Sequence, residues 1–387
     1  MRWLHRTIGL VLGAWLMLMG ISGALLAFYW ELDTAIARDL VLLDQAVARP
    51  DFDAMAAAVR RAYPDRVILS SERHGMNDRE SWPFVLTRRL PLTATGPDLS
   101  GLHDLEGAPA LEVFVDPRTH AILGQRDYWT WFRLLHSFHS ELLVPGAGER
   151  TVGALGLVLL TSVIAGAILW WRESRRHLRR ALRLNWSAPR PRFYRDIHTV
   201  GGIYVTLMLA LQAISGALIA DLFPVQMLLG RWLGSAENAA TTVASMPAVQ
   251  PPRISANTAR DIALGVHPSS TVVLVVFPNS LSNFYSVRLY PTDQPKTRYT
   301  RQVLIDPATG SIVRTFDPAR QSPARRFFGA WMIWMHNGQF FGLSGRVLLV
   351  ATGLVLALLF PSGLYIWLRR RPARLRGRVH EPRHRSS

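Results

Sequence analysis

Apolar positions along the chain gather into four long runs, roughly 7–29, 151–171, 199–220 and 344–368. Each is close to the length of about 20 residues that a helix needs to cross a hydrocarbon core, and none has a charge in its middle. The pattern predicts four transmembrane helices. Between the first and second runs, and again between the third and fourth, the period changes. Each long intervening stretch begins with a helical segment, DFDAMAAAVRRAYPD in one and SANTARDIALGVHP in the other. Strand-like runs follow in both, with alternating apolar positions such as Val113 and Val115, or Val303 and Ile305. A shared Asp-Pro-x-Thr, at Asp116 to Thr119 and at Asp306 to Thr309, reads as a turn between two strands.

The recurrence extends to the membrane runs. ISGALLA at 21–27 returns as ISGALIA at 214–220, and in each half the serine stands seventeen residues after a histidine, His5 or His198. Each half then passes through an aromatic stretch, YWTWFRLLHSFHSELL or FFGAWMIWMHNGQFFG, into its second membrane run. Matching the aromatic pairs sets His136 against His336, and leaves His139 opposite Gln339. The fold class expected is an α-helical membrane protein with four transmembrane helices and two α+β inserts, its halves related by an internal pseudo-twofold repeat along the membrane normal. The expected segments are helix 1 at 1–30, insert 1 at 31–128, an aromatic segment and helix 2 at 129–172, and an Arg-rich loop at 173–197. Helix 3 at 198–221, insert 2 at 222–325, an aromatic segment and helix 4 at 326–369, and a basic tail at 370–387 follow.

Charge orients this arrangement. The formal net charge is +17, and nineteen arginines lie beside membrane ends: Arg2, Arg6, nine between 172 and 195, and eight from Arg369 onward. That distribution follows the positive-inside rule, so both termini and the short central loop are expected in the cytoplasm and both inserts on the far side. It also argues against nucleic acid as a partner. The chain has no cysteine, which excludes disulfides, thiolate metal sites and thioether-linked haem.

From WLHRTIGLVLGAWLMLMGISGALLAFYWELD through DPATGSIV to GLYIWLRRR, the sequence resembles the PepSY-associated transmembrane family, and most closely its branch of inner-membrane b-haem ferric-siderophore reductases. The resemblance implies PepSY-like periplasmic inserts, a bacterial inner-membrane location and two b-type haems per chain. It implies electrons taken from an unidentified cytoplasmic or quinol donor and passed to a ferric siderophore. On this reading His5 and His198 are axial ligands of one haem and His136 and His336 of the other. His139, one turn beyond His136, is a substrate-side group or the ligand in its place. A single histidine at a membrane end ordinarily lies among lipid headgroups, but two pairs at matched repeat positions point to a shared role. His74, His103, His120, His177, His267, His380 and His384 have no histidine counterpart and read as surface residues. The glycines and the Ile-Ser-Gly-Ala phrases read as a close crossing of helices 1 and 3, or as room for a flat macrocycle. The alternative function is a non-catalytic membrane protein whose inserts bind or restrain a periplasmic partner such as a peptidase.

Overall fold

The structure, a computed structural model, describes residues 1–47, 49–73, 79–88, 110–220, 252–279, 283–292, 300–320 and 331–379. From the N-terminus the elements are α1 (Arg2–Val11), α2 (Gly13–Leu26), α3 (Tyr29–Ile36), α4 (Arg38–Val41), α5 (Phe52–Ala62), β1 (Val67–Glu72), β2 (Trp82–Thr87), β3 (Ala110–Val115) and β4 (Ile122–Asp127). Next come α6 (Trp131–Glu141), α7 (Ala147–Ser174), α8 (Leu178–Ala181), α9 (Arg190–Asp196) and α10 (Gly202–Ile219), with a π turn at Ile197–Gly201 leading into α10. The chain continues as α11 (Ala256–Val266), β5 (Ser270–Val276), β6 (Tyr285–Pro291), β7 (Arg301–Ile305), β8 (Ile312–Phe316), α12 (Met332–His336) and α13 (Gly342–Val379). These elements form two compact units, one of residues 1–28, 135–228 and 331–387, the other of residues 29–134 and 229–330.

In the helical unit, three helices are long and apolar enough to cross a membrane: Ala147–Ser174, Arg190–Ile219 and Gln339–Arg369. The first apolar run departs from the continuous helix its composition predicts. It breaks at Leu12 into α1 and α2, bent by 66°. Glycine at position 13 makes room at the bend for the Phe360 ring of α13, which occupies the space a Cβ would need. Close packing comes from small residues, but not between the partners expected. Gly20 of α2 sits against the Gly353 carbonyl of α13, where a Cβ would lie 3.0 Å from the oxygen, and Gly156 of α7 sits against Ala213 of α10.

The second unit holds one eight-stranded antiparallel sheet, in the order β4-β3-β2-β1-β5-β6-β7-β8. Both inserts supply four strands, and the two sets join where β1 pairs with β5 through Ser70↔Val276, Ser71↔Val275 and Glu72↔Leu274. On one face α5 and α11 cover a core that includes Phe52, Met55, Phe84, Val113, Val287 and Ile305. Each of these helices opens on a side-chain cap, Asp51 accepting from Ala54 N at 2.9 Å and Ser255 accepting from Thr258 N at 3.1 Å. The two Asp-Pro-x-Thr segments are the β3–β4 and β7–β8 turns. Asp116 Oδ1 accepts from Arg118 N at 2.8 Å, and Asp306 Oδ1 accepts from Ala308 N at 2.7 Å. Thr119 is followed by His120 at φ 60° and Thr309 by Gly310 at φ 74°, so both copies turn through the left-handed region.

The opposite sheet face in the first half carries a buried charge network. Glu112, 1% exposed, accepts from Arg126 Nε at 2.6 Å and from Arg133 Nη2 at 2.7 Å, while Arg126 also donates two hydrogen bonds to Asp33 at 3.0 Å each. The Arg133 guanidinium lies 3.9 Å from the Tyr128 ring centre, and the attraction of Glu112 holds its proton more firmly than usual against the cost of burial. Trp129 packs against the apolar cluster of Leu69, Val85, Tyr128 and Leu274 beside it.

Candidate functional site

Four histidines in the helical unit are held alike. His5, on α1, has its Nδ1 3.0 Å from the Ser162 carbonyl and 3.1 Å from the Ser162 hydroxyl of α7. Its ring lies on Gly166, where a Cβ would stand 3.1 Å from Cε1. His198 sits in the π turn ahead of α10, a wider turn of the kind often found at functional positions. Its Nδ1 is 2.9 Å from the Leu359 carbonyl and 3.3 Å from Ser362 Oγ of α13, and its ring lies on Gly363. The two ring centres are 6.1 Å apart, with the planes inclined at 69°.

At the second pair the arrangement is repeated with different helices. His139, on α6, has Nδ1 2.8 Å from Ser22 Oγ of α2 and its ring on Gly23. His336, the last residue of α12, has Nδ1 3.0 Å from Ser215 Oγ of α10 and its ring on Gly216. Their ring centres are 6.2 Å apart, inclined at 58°. Gln212 Nε2 donates to the Met335 carbonyl at 3.3 Å and so ties α12 to α10 beside the ring.

The hydrogen bonding sets the tautomer. Ser22, Ser215 and Ser362 donate their hydroxyl protons to carbonyls of their own helices, those of Met19, Leu211 and Leu358 at 3.1, 2.6 and 2.7 Å. Each serine oxygen is thus left to accept, and a main-chain carbonyl can only accept. At His5 and His198, which face carbonyls, Nδ1 therefore carries the proton; at His139 and His336 the same tautomer follows when the serine proton is given to its own helix, and the lone pair is then on Nε2. The carbonyl and serine contacts given above are all made at Nδ1. Tying back one nitrogen to present the other is the usual arrangement of a metal-bound imidazole.

Two imidazoles sharing one metal, with bonds of about 2.0–2.1 Å and ring centres about 1.1 Å behind each nitrogen, have centres about 6.3 Å apart. The observed 6.1 and 6.2 Å match that spacing. Aromatic rings in ordinary contact also reach such separations, roughly 4.5–7 Å, so distance alone does not distinguish the cases. The four tethered Nδ1 atoms and the four glycine seats are features that simple ring packing does not need. Among the described residues no group of three or more His, Asp or Glu could hold a bare metal ion. Two imidazoles per site is a donor set that would suit a haem.

The sequence-predicted residues divide accordingly. His5, His198 and His336 stand in pairs, but the partner of His336 is His139. His136, matched to His336 in the sequence, is exposed, three residues earlier on α6 and on another side of the helix. Matching the aromatic residues gives an offset of 200 that sets His136 against His336, whereas the structure brings His139 to His336. The better signal is spacing: 197 residues separate His139 from His336, and the same 197 separate Gly166 from Gly363 and Trp170 from Trp367. The ISGAL phrases are seats for His139 and His336, not a crossing of helices 1 and 3. Sequence patterns do not single out Ser162 and Ser362 with Gly166 and Gly363, although a further Ser-Gly on an apolar run stands in PSGLYIW at 361–367. His267 is buried, 8% exposed, rather than at the surface. His74, His103, His380 and His384 lie outside the described residues, as do Phe327 and Phe328.

The sequence pattern of the PepSY-associated TM region matches residues 2–370, nearly the whole chain. The chain belongs to the PepSY-associated TM family. Membership and the three long apolar helices together make it a multi-pass membrane protein. No curated protein matches the sequence significantly. Within this PepSY-associated TM chain, each imidazole pair takes one ring from each half of the repeat. In each half the seats are exchanged: the first span's histidine rests on the second span's Ser and Gly, and the histidine ahead of the second span rests on the first span's Ser-Gly.

Proposed function

We propose that this protein is a di-haem reductase of the bacterial inner membrane that carries electrons from the cytoplasmic side to a periplasmic ferric siderophore, releasing ferrous iron for uptake. The bent pair α1/α2 counts as one span in this reading, giving four, with both termini cytoplasmic and both inserts periplasmic. His5 and His198 would hold the inner haem b, and His139 and His336 the outer one. The observation that carries the reading is the fourfold repetition of one device, an imidazole with Nδ1 tethered and a glycine under its ring, arranged as two pairs.

When bound, each haem supplies a one-electron iron couple. The protein's own contribution is positional. Serines and carbonyls keep the Nδ1 protons in place, so all four ligands stay neutral imidazoles and no proton has to move with the electron. The glycines let the rings approach the helix backbones, and the surrounding spans exclude water. Along α10 and its π turn the seventeen residues from His198 to Ser215 amount to about 25 Å, so the two pairs lie at different depths. Hard oxygen donors favour ferric over ferrous iron, so one electron loosens the substrate's metal without breaking the chelate.

The purified protein should show an oxidised-minus-reduced spectrum of low-spin b-type haem, with two haems per chain. In vesicles of known orientation, a ferrous indicator outside should respond to a ferric hydroxamate or catecholate once the haems are reduced. A protein that binds no haem when supplied with it during expression would refute the reading. One that binds haem but never reduces an external ferric chelate would refute the siderophore half alone.

A further inference from the structure

Resting on the haem reading above, we propose that hydrogen bonds at Nδ1 order the two sites in potential, so that at equilibrium an electron favours the site between His139 and His336 over the site between His5 and His198. The two pairs share a plan but differ in what their Nδ1 protons meet. In the first, each proton faces a main-chain carbonyl, that of Ser162 at 3.0 Å and that of Leu359 at 2.9 Å. In the second, the nearest acceptors are hydroxyls, Ser22 Oγ at 2.8 Å and Ser215 Oγ at 3.0 Å. His336 in addition hydrogen-bonds the Gln212 main chain. The contrast is therefore sharpest at His139, which among the described residues meets only the hydroxyl.

An amide carbonyl carries negative charge by resonance and is a stronger acceptor than an alcohol. The stronger the acceptor at Nδ1, the more imidazolate character the ring takes on and the more basic Nε2 becomes. A more basic axial ligand stabilises ferric over ferrous iron and lowers the potential. Ser22 and Ser215 gain some accepting strength by donating to Met19 and Leu211, but such polarisation adds only about 10–30% per bond. The carbonyl-backed pair is therefore the lower-potential site and the serine-backed pair the higher. One electron leaving ferrous iron at His5/His198 to reduce ferric iron at His139/His336 moves downhill, with no proton exchanged. Ser22 is a positioning residue in this scheme, acting on the iron only through His139. Ser162 is nearly dispensable, because its backbone carbonyl survives any change of side chain.

The test is a potentiometric titration of the full-length, haem-loaded protein with dithionite, followed optically. The unaltered protein should give two one-electron waves separated by at least tenfold in equilibrium constant, which is 59 mV. His139→Ala should retain only the lower wave. Ser22→Ala should move the higher wave upward by more than Ser162→Ala moves the lower one, or release the higher-potential haem while Ser162→Ala keeps both; Ser22→Thr should restore the original value. Coincident waves, a higher wave that survives His139→Ala, or a larger shift from Ser162→Ala than from Ser22→Ala would overturn the proposal while leaving the haem assignment intact. A protein with no haem would instead remove the reading on which it rests.

Discussion

Replacing His139 and His136 separately by alanine distinguishes the ligand chosen by the fold from the one suggested by the repeat. The His139 ring centre is 6.2 Å from that of His336, within about 0.1 Å of the spacing two metal–nitrogen bonds require. A residue three positions earlier on a helix lies about 4.5 Å further along the axis and is rotated by roughly 60°. An imidazole at 136 therefore cannot reach the same point without unwinding α6. Its exposure also means that little packing is lost on truncation, so His136→Ala should change stability by no more than about 0.5 kcal/mol. His139→Ala removes a ligand outright. Loss of even a supporting residue behind a ligand typically weakens a metal site by about 10–100-fold, and loss of the ligand itself should do at least that. Haem quantified per chain by pyridine haemochrome on the purified protein should read two for the unaltered protein, two for His136→Ala and one for His139→Ala, with the remaining spectrum still low-spin. If His136→Ala is the variant that loses a haem, or if His139→Ala keeps two low-spin haems, the site geometry described above is wrong.

Three other outcomes are expected. Gly23→Ala and Gly216→Ala would each place a Cβ 3.0–3.1 Å from an imidazole carbon, well inside the contact optimum of about 3.5–4.0 Å, and overpacking of that kind costs about 1–3 kcal/mol. Haem retention at the His139/His336 pair should fall by roughly 5–150-fold, whereas Gly9→Ala, with nothing within 4 Å, should leave both sites unchanged. Glu112→Ala takes the carboxylate from two half-buried guanidinium groups, of which Arg126 keeps Asp33, and should destabilise the sheet unit by up to about 3 kcal/mol in a thermal or proteolytic assay, with Arg133→Met on top of it recovering part of the loss. The Ala54 amide and the Asn257 side chain hold the Asp51 carboxyl below the usual carboxylate range. Because the folded value is lowered, its stabilisation is complete above the unfolded value of about 3.9 and is lost as pH falls below it. Asp51→Asn, which still caps α5, should therefore show a shallower loss of stability between pH 5 and pH 3 than the unaltered protein, and an equal slope would contradict the assignment.

The sequence by itself determined what depends on local composition and period. Apolar runs long enough for a bilayer, strands of period two, Asp-Pro turns and a duplicated order of elements all follow from residues near one another in the chain. The His5/His198 correspondence was legible for the same reason, because each histidine is tied by a fixed seventeen-residue interval to the same phrase on a continuous apolar run. Tertiary structure decided what depends on facing. Whether His136 or His139 meets His336 is a question of helix rotation, which matching aromatic residues along the chain does not report. That Ser22 and Gly23 serve an imidazole rather than a neighbouring helix could not be read locally, since small residues suit either partner equally well. The joining of β1 to β5 across some 200 residues, which turns two inserts into one sheet, likewise arises from edge strands that must find hydrogen-bond partners. The bend at Leu12 arises in the same way. Hydropathy sees one apolar run, and only the Phe360 ring against Gly13 shows why the helix turns there.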